Sequence, residues 1–152
     1  MKYVNFLLAT TLLLVYSGCG NNSDLSTNPQ IEEGGVIYLI SLPKKEFSRA
    51  DTLQFTFIIT NTNSIEKDYT FGSSCHVGFK LVDNLKTAMS WPNICAAVVT
   101  GISVKPGETK KIEVNSTFTN FDGKLISPRT YLLQAFLLNN NSPVLSSVIN
   151  VK

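Results

Sequence analysis

Large apolar residues alternate with polar ones over several stretches of this chain, and this spacing constrains the fold more than any other feature. The clearest case runs from residue 52 to residue 60, where four apolar positions are Leu53, Phe55, Phe57 and Ile59. Because successive side chains of a strand point to opposite faces, this stretch predicts a strand with one buried face. Shorter alternations around Phe79 and Val114 predict further half-buried strands.

Two segments near the end of the chain extend the same pattern. Residues 131–138 are apolar on both faces apart from Gln134, which predicts a central strand covered on two sides. Leu145, Ile149 and Val151 mark a last strand. No stretch shows a sustained helical period of apolar residues.

Turn-forming residues separate these segments. They occur at positions 61–64, 83–84, 106–107, 122–123 and 139–143. Pro106 presets φ for the first corner of a tight turn, and Gly107 suits the positive φ of the second. Short strands with turns every 8 to 12 residues predict an all-β fold of two packed antiparallel sheets with about seven to nine strands.

The first nineteen residues have the character of a bacterial lipoprotein signal. Lys2 supplies a positive start, and residues 4–15 are mostly apolar, a run too short for a confident membrane span. The sequence Tyr16-Ser17-Gly18-Cys19 resembles a lipobox, although Tyr16 stands where Leu, Val or Ile is usual. We therefore expect residues 1–18 to be a signal peptide and Cys19 to carry lipid; the alternative is an ordinary secretory signal that leaves Cys19 as a free thiol.

Composition and charge indicate how the rest of the chain is divided and which partners it can bind. Residues 19–35 are polar and read as the lipidated cysteine and a flexible tether, which leaves residues 36–152 as one domain. The net charge of the whole chain is only +2, which gives no electrostatic case for nucleic acid. Membrane attachment is expected through the lipid, on the periplasmic or outer-membrane side of the cell envelope.

The three cysteines of the chain support this interpretation. Lipidation uses Cys19, and Cys75 and Cys95 remain to form a disulfide in an oxidising compartment. The alternative is a Cys-His-Cys metal site that includes His76. Neighbouring residues of a strand point to opposite faces, which disfavours that geometry, so no metal site is predicted.

The residues offer little for catalysis. The chain has a single histidine, His76, without an evident acidic partner, and it is interpreted as a solvent-facing strand residue with a binding role as the alternative. Trp91 either packs over the disulfide or the edge of the core, or serves as an exposed binding anchor. No catalytic residue and no cofactor is predicted.

Several motifs occur in an order that resembles the intracellular proteinase inhibitor family known as BsuPI. They are the strand at Leu53 to Phe57 ending in Asn61, the aromatic pair Tyr69 and Phe71, the segments 79–83, 105–109 and 128–131, and Phe118. The resemblance covers about residues 48–138 and implies an Ig-like β-sandwich. Arg129 departs from the family pattern, which has glycine there, and so do residues 72–75 and the cysteine pair.

Two functions remain open from the sequence. The first is a non-enzymatic protein-binding module of the envelope, which the resemblance extends to proteinase inhibition, with an unidentified protein or protease as its partner. It would present a loop such as residues 84–96, which the disulfide would stiffen. The second is a structural or adhesive Ig-like accessory module without inhibitory activity. The residue content disfavours a hydrolase or a metal-dependent enzyme.

Overall fold

A computed structural model describes residues 28–139 and 141–152, which form eleven β-strands and no helix. The predicted signal peptide and Cys19 lie outside the described residues. The strands are β1 (Gln30–Glu33), β2 (Val36–Ser41), β3 (Glu46–Phe47), β4 (Thr52–Asn61), β5 (Lys67–Phe71), β6 (Val77–Asp83), β7 (Lys86–Trp91), β8 (Thr100–Val104), β9 (Thr109–Thr117), β10 (Arg129–Leu137) and β11 (Leu145–Val151). Nowhere in the described part of the chain is there a helix long and apolar enough to cross a membrane.

The strands form three sheets. A four-stranded sheet has the order β1-β2-β4-β9, a five-stranded sheet has the order β3-β11-β10-β6-β7, and β5 pairs with β8. All pairings are antiparallel except that of β3 with β11. The predicted all-β sandwich is confirmed. Two of the strands beyond the expected number are β1, whose residues are all exposed, and β3, which has only two residues.

The alternation in the sequence corresponds to burial. Leu53, Phe55, Phe57 and Ile59 of β4 are all buried. They belong to one core that the inner faces of the sheets share, and the ring of Phe55 meets the edge of Phe79 with centroids 5.6 Å apart. Removing one such side chain from water stabilises a fold by roughly 1.5 to 3 kcal/mol.

The prediction for residues 131–138 is only half correct. β10 lies inside its sheet, between β11 and β6. Its outer face is not covered, since Leu132 is exposed and Phe136 is half-buried. The five-stranded sheet packs its inner face on the core, and no second layer covers its outer face in the described part of the chain.

The folded domain begins earlier than residue 36. Residues 30–33, expected to belong to the tether, form β1 and pair with β2. Gly34 and Gly35 make the two-residue turn between them with φ of 57° and 69°. A turn with two positive φ angles suits glycine and matches the twist of a hairpin, which explains why the chain reverses here.

Candidate functional site

The predicted disulfide between Cys75 and Cys95 is confirmed, with Cα atoms 5.8 Å apart. Cys75 lies in the segment between β5 and β6, at the point where the chain leaves the two-stranded sheet and enters the five-stranded one. Cys95 lies in residues 92–99, the segment without regular structure that connects β7 to β8; we call it the braced loop. The disulfide therefore fixes the middle of this loop to the segment just before the first residue of β6.

Hydrogen bonds add to the covalent link. The Ser74 amide donates to the Ala96 carbonyl oxygen at 3.0 Å, and the Ala96 amide donates to the Ser74 hydroxyl oxygen at 3.1 Å. The Val98 amide donates to the same Ala96 carbonyl at 3.0 Å. The braced loop thus has a defined backbone path, although it belongs to no sheet.

His76 is not the solvent-facing strand residue that the sequence predicts. β6 begins at Val77, so the alternation does not extend back to His76, which is half-buried with its ring 4.6 Å from that of Phe71. Its Nε2 lies 3.0 Å from the hydroxyl oxygen of Thr100. His76 therefore tethers the start of β8.

The hydrogen bonds around Thr100 define what His76 can do. The Thr100 hydroxyl donates its single hydrogen to the Ser73 carbonyl oxygen at 2.6 Å. It can then only accept from His76, so Nε2 carries a proton and acts as a donor. An imidazole in this state holds a hydroxyl in place and does not remove its proton.

The alternative metal site at Cys75, His76 and Cys95 is wrong. Both thiols are consumed by the disulfide, and a metal-binding cysteine needs a free thiolate. Across residues 28–139 and 141–152, no group of three or more His, Cys, Asp and Glu residues is placed to hold a metal ion.

Trp91 occupies the edge of the core. It ends β7, so the expected loop of residues 84–96 is in fact a strand followed by the braced loop. The indole stacks on Phe79 with ring centroids 5.9 Å apart and planes 16° apart. It is half-buried and also borders a groove of about 430 Å³, whose other walls include Lys80, Cys95 and Phe136.

The braced loop exposes apolar side chains, which the sequence analysis missed. Ile94 is 90% exposed, Val99 is 75% exposed and Val98 is also exposed. Asn93 is the one polar side chain of the loop. The signal was present as an apolar run after Pro92, but without the disulfide geometry that run reads as another buried strand.

No family model and no curated protein matches this sequence. Among solved structures, the alkylpurine DNA glycosylase AlkC of Pseudomonas fluorescens is similar with a TM-score of 0.51 and 12% identity, over 78% of this chain and 30% of that one. The β-glucosidase EmGH1 of Erythrobacter marinus gives 0.48 and 14%, over 74% and 15% of the two chains. A β-glucosidase of Listeria innocua gives 0.45 and 15%, over 75% and 16%.

This chain therefore spans less than a third of the length of each of these structures. At such low identity the likeness to the glycosylase concerns the fold alone. The fold and the site define a disulfide-containing β-sandwich domain with a braced apolar loop.

Proposed function

We propose that this chain is a lipid-anchored protein of the bacterial cell envelope whose sandwich is a non-enzymatic protein-binding module. The braced loop is the contact surface, and a protease is the partner that the BsuPI resemblance suggests. The module acts by occupying its partner, and it contributes no catalytic group or cofactor.

The observation that carries the proposal is that the braced loop exposes apolar side chains while its backbone is held by a disulfide and hydrogen bonds. Isolated apolar residues on a protein surface need no explanation, but Ile94, Val98 and Val99 are exposed together on one short segment. Burial of apolar surface such as this is the main favourable term in most protein associations. A loop already held by Cys95 and Ser74 loses little conformational entropy on binding, which favours affinity.

The positions of the BsuPI-like motifs also support the proposal. The segment Lys105 to Thr109 forms a tight turn in which the Glu108 amide donates to the Lys105 carbonyl at 2.9 Å and Gly107 has a φ of 72°. Tyr69 and Phe71 are buried on β5, which pairs with the strand that leaves the braced loop. Tyr69 and Phe71 thus belong to the sheet that the braced loop enters, and the Lys105 to Thr109 turn follows the far end of β8.

The binding test uses the full chain, solubilised in detergent and immobilised. Ile94→Asp and Val99→Asp place a charge on the loop, and Ile65→Asp is a matched control, since Ile65 is 72% exposed on another loop. We expect an envelope protein captured by the wild type and by Ile65→Asp to be lost with the loop variants. Equal capture by all four chains would remove the braced loop as the contact.

The protease test measures hydrolysis by a panel of serine proteases with the same four chains. Inhibition at micromolar protein that Ile94→Asp abolishes would support the inhibitor function. If no protease is inhibited although a partner is captured, the structural or adhesive accessory module is the better description. A separate labelling with radioactive palmitate should mark the wild type but not Cys19→Ser, and label in both would refute the anchor.

A further inference from the structure

Two loops meet at the end of the sandwich that lies opposite the braced loop. The first is the turn Asn84–Leu85, which joins β6 to β7, and the second is residues 118–126, which lead from β9 towards β10. Asp83 and Ala88 beside the first loop line the same groove, of about 390 Å³, as Asn120 and Leu125 of the second. We call the surface formed by residues 84–86 and 118–126 the basal face.

The basal face carries exposed apolar tips. Leu85 is 99% exposed and Phe121 is 68% exposed, and Leu125, on the same loop as Phe121, is also exposed. Leu85 has a φ of 67° and Asn84 a φ of 46°, a turn that normally takes glycine at its second position. A leucine there strains the backbone, and its side chain is almost fully exposed and so gains no burial in return. Its side chain is therefore available to something outside the fold.

Positive charge flanks these tips. Lys86 and Lys124 are exposed next to Leu85 and Leu125. Of the ion pairs in the described part of the chain, one joins Arg129 to Asp83 and none includes Lys86 or Lys124. Asp122 is also exposed between Phe121 and Lys124, so the three charged residues of the basal face sum to +1. Exposed apolar side chains on a face of positive net charge are the chemistry that binds the interface of an anionic bilayer.

The chain also enters the domain at this end. The side-chain oxygen of Asn28 accepts a hydrogen bond from the Leu42 amide. Leu42 lies shortly before β3, in which Phe47 pairs with Val151. Val151 pairs with Arg129, the residue bound to Asp83. Nine peptide units separate Cys19 from Asn28, which can span at most about 30 Å.

We propose that the basal face rests on an anionic lipid surface, with Leu85 and Phe121 inserted between the headgroups. The orientation of the domain on the bilayer depends on the lipid anchor proposed above. Its affinity for the lipid surface comes from the exposed apolar side chains and the lysines of the basal face. The hairpin of β6 and β7 has Leu85 at its turn and Trp91 at its open end, roughly 20 Å away. A sandwich seated this way presents the braced loop away from the bilayer.

The test places a tryptophan at each end of the full lipidated chain. Trp91 is the single native tryptophan, so Trp91→Phe provides a dark background. In that background, Leu85→Trp reports from the basal face. Ile65→Trp is the matched control, because it lies beyond Asn61 at the other end of β4. The chains are reconstituted in phosphatidylglycerol and phosphatidylethanolamine vesicles with brominated acyl chains.

We expect bromine to lower the fluorescence of Trp at position 85 by about half and to leave that at position 65 nearly unchanged. Phe121→Asp should reverse the quenching. Equal quenching by bromine at positions 85 and 65, in chains that float with the vesicles, would overturn the inference while leaving the anchor intact.

Chains that do not float in the absence of anionic lipid would instead show that the anchor has failed. The basal face is then tested by flotation with phosphatidylglycerol vesicles alone. Binding that Leu85→Asp abolishes supports it, and no binding overturns it.

Discussion

The hydroxyl oxygens of Tyr38 and Tyr69 lie 3.0 Å apart, and both side chains are buried. Tyr38 belongs to β2 of the four-stranded sheet and Tyr69 to β5 of the two-stranded one, so this hydrogen bond joins two sheets that share no backbone ladder. Burial, together with the hydrogen bond to Tyr38, raises the pKa of the Tyr69 hydroxyl above its ordinary value.

This pair predicts alkaline instability. In the unfolded chain Tyr69 ionises near pH 10, whereas in the folded chain it stays neutral to higher pH. The contribution of Tyr69 to the free energy of unfolding is therefore fully present below about pH 10 and is lost as the pH rises further. Urea unfolding from pH 8 to pH 11 should show the loss, and Tyr69→Phe should weaken the pH dependence; an equally steep loss in that variant would contradict the assignment.

Replacing Asn61 should lower the free energy of unfolding, because its side chain is buried and binds three backbone groups. Its Nδ2 donates to the carbonyl oxygens of Ile65 and Val104 at 2.7 and 2.8 Å, and its Oδ1 accepts from the Asn63 amide. Asn61→Ala leaves buried polar groups without partners and should lower the free energy of unfolding by about 2 to 3 kcal/mol. Asn63→Ala is the control.

Asn63 also makes two side-chain bonds to backbone carbonyls, those of Gly34 and Gly35, but it lies nearer the surface. We expect Asn63→Ala to cost about 1 kcal/mol or less in the same denaturant measurement. Equal losses in the two variants would show that burial at Asn61 does not set the cost.

Gly78 predicts a steric effect on the outer face of β6. A Cβ at this position would lie 2.9 Å from Leu138 Cδ2 and 3.1 Å from the Phe136 ring. Gly78→Ala should therefore destabilise the domain by roughly 1 to 3 kcal/mol through overpacking. At Gly72 a Cβ meets nothing within 4 Å, so Gly72→Ala should leave the thermal midpoint almost unchanged. A fully tolerated alanine at position 78 would mean that Leu138 moves aside freely.

The disulfide predicts both a stability effect and a local one. Replacing Cys75 and Cys95 together by serine releases a link across 20 positions and should cost roughly 3 kcal/mol of unfolding free energy. Limited proteolysis followed by mass spectrometry should then find new cuts within residues 92–99. Adding a reductant should reproduce both changes in the wild type and change nothing further in the serine variant.

The sequence predicts those elements whose residues carry their own burial pattern. β4 follows from its alternation, because a strand with one face in the core must repeat apolar residues at every second position. The turn at Gly107 follows from the φ that glycine permits. The disulfide follows from the cysteine count together with the expected export.

The partners of a strand depend on residues far away and are not in the local pattern. Nothing in residues 67–71 indicates that β5 pairs with β8 and not with a larger sheet. The exposure of Leu132 depends on the number of layers that cover its sheet. β1 was missed because its residues are polar or exposed, although Gly34 and Gly35 are a readable hairpin signal.

The candidate site is predictable to a similar extent. Cys75 and Cys95 were identified as a pair, but the half-buried position of His76 depends on where β6 begins. The exposure of Ile94 depends on the path of the loop that the disulfide links to Cys75, which composition does not reveal.

The position of β11 affects the order in which the sandwich can fold. It lies between β3 and β10, and its pairing partner Glu46 is more than a hundred residues away from Asn150. A chain that is still being synthesised cannot close the five-stranded sheet until residues 145–151 have been made, because β3 and β10 are not neighbours without them. Folding through such distant pairings is slow, so β3 is expected to join its sheet late.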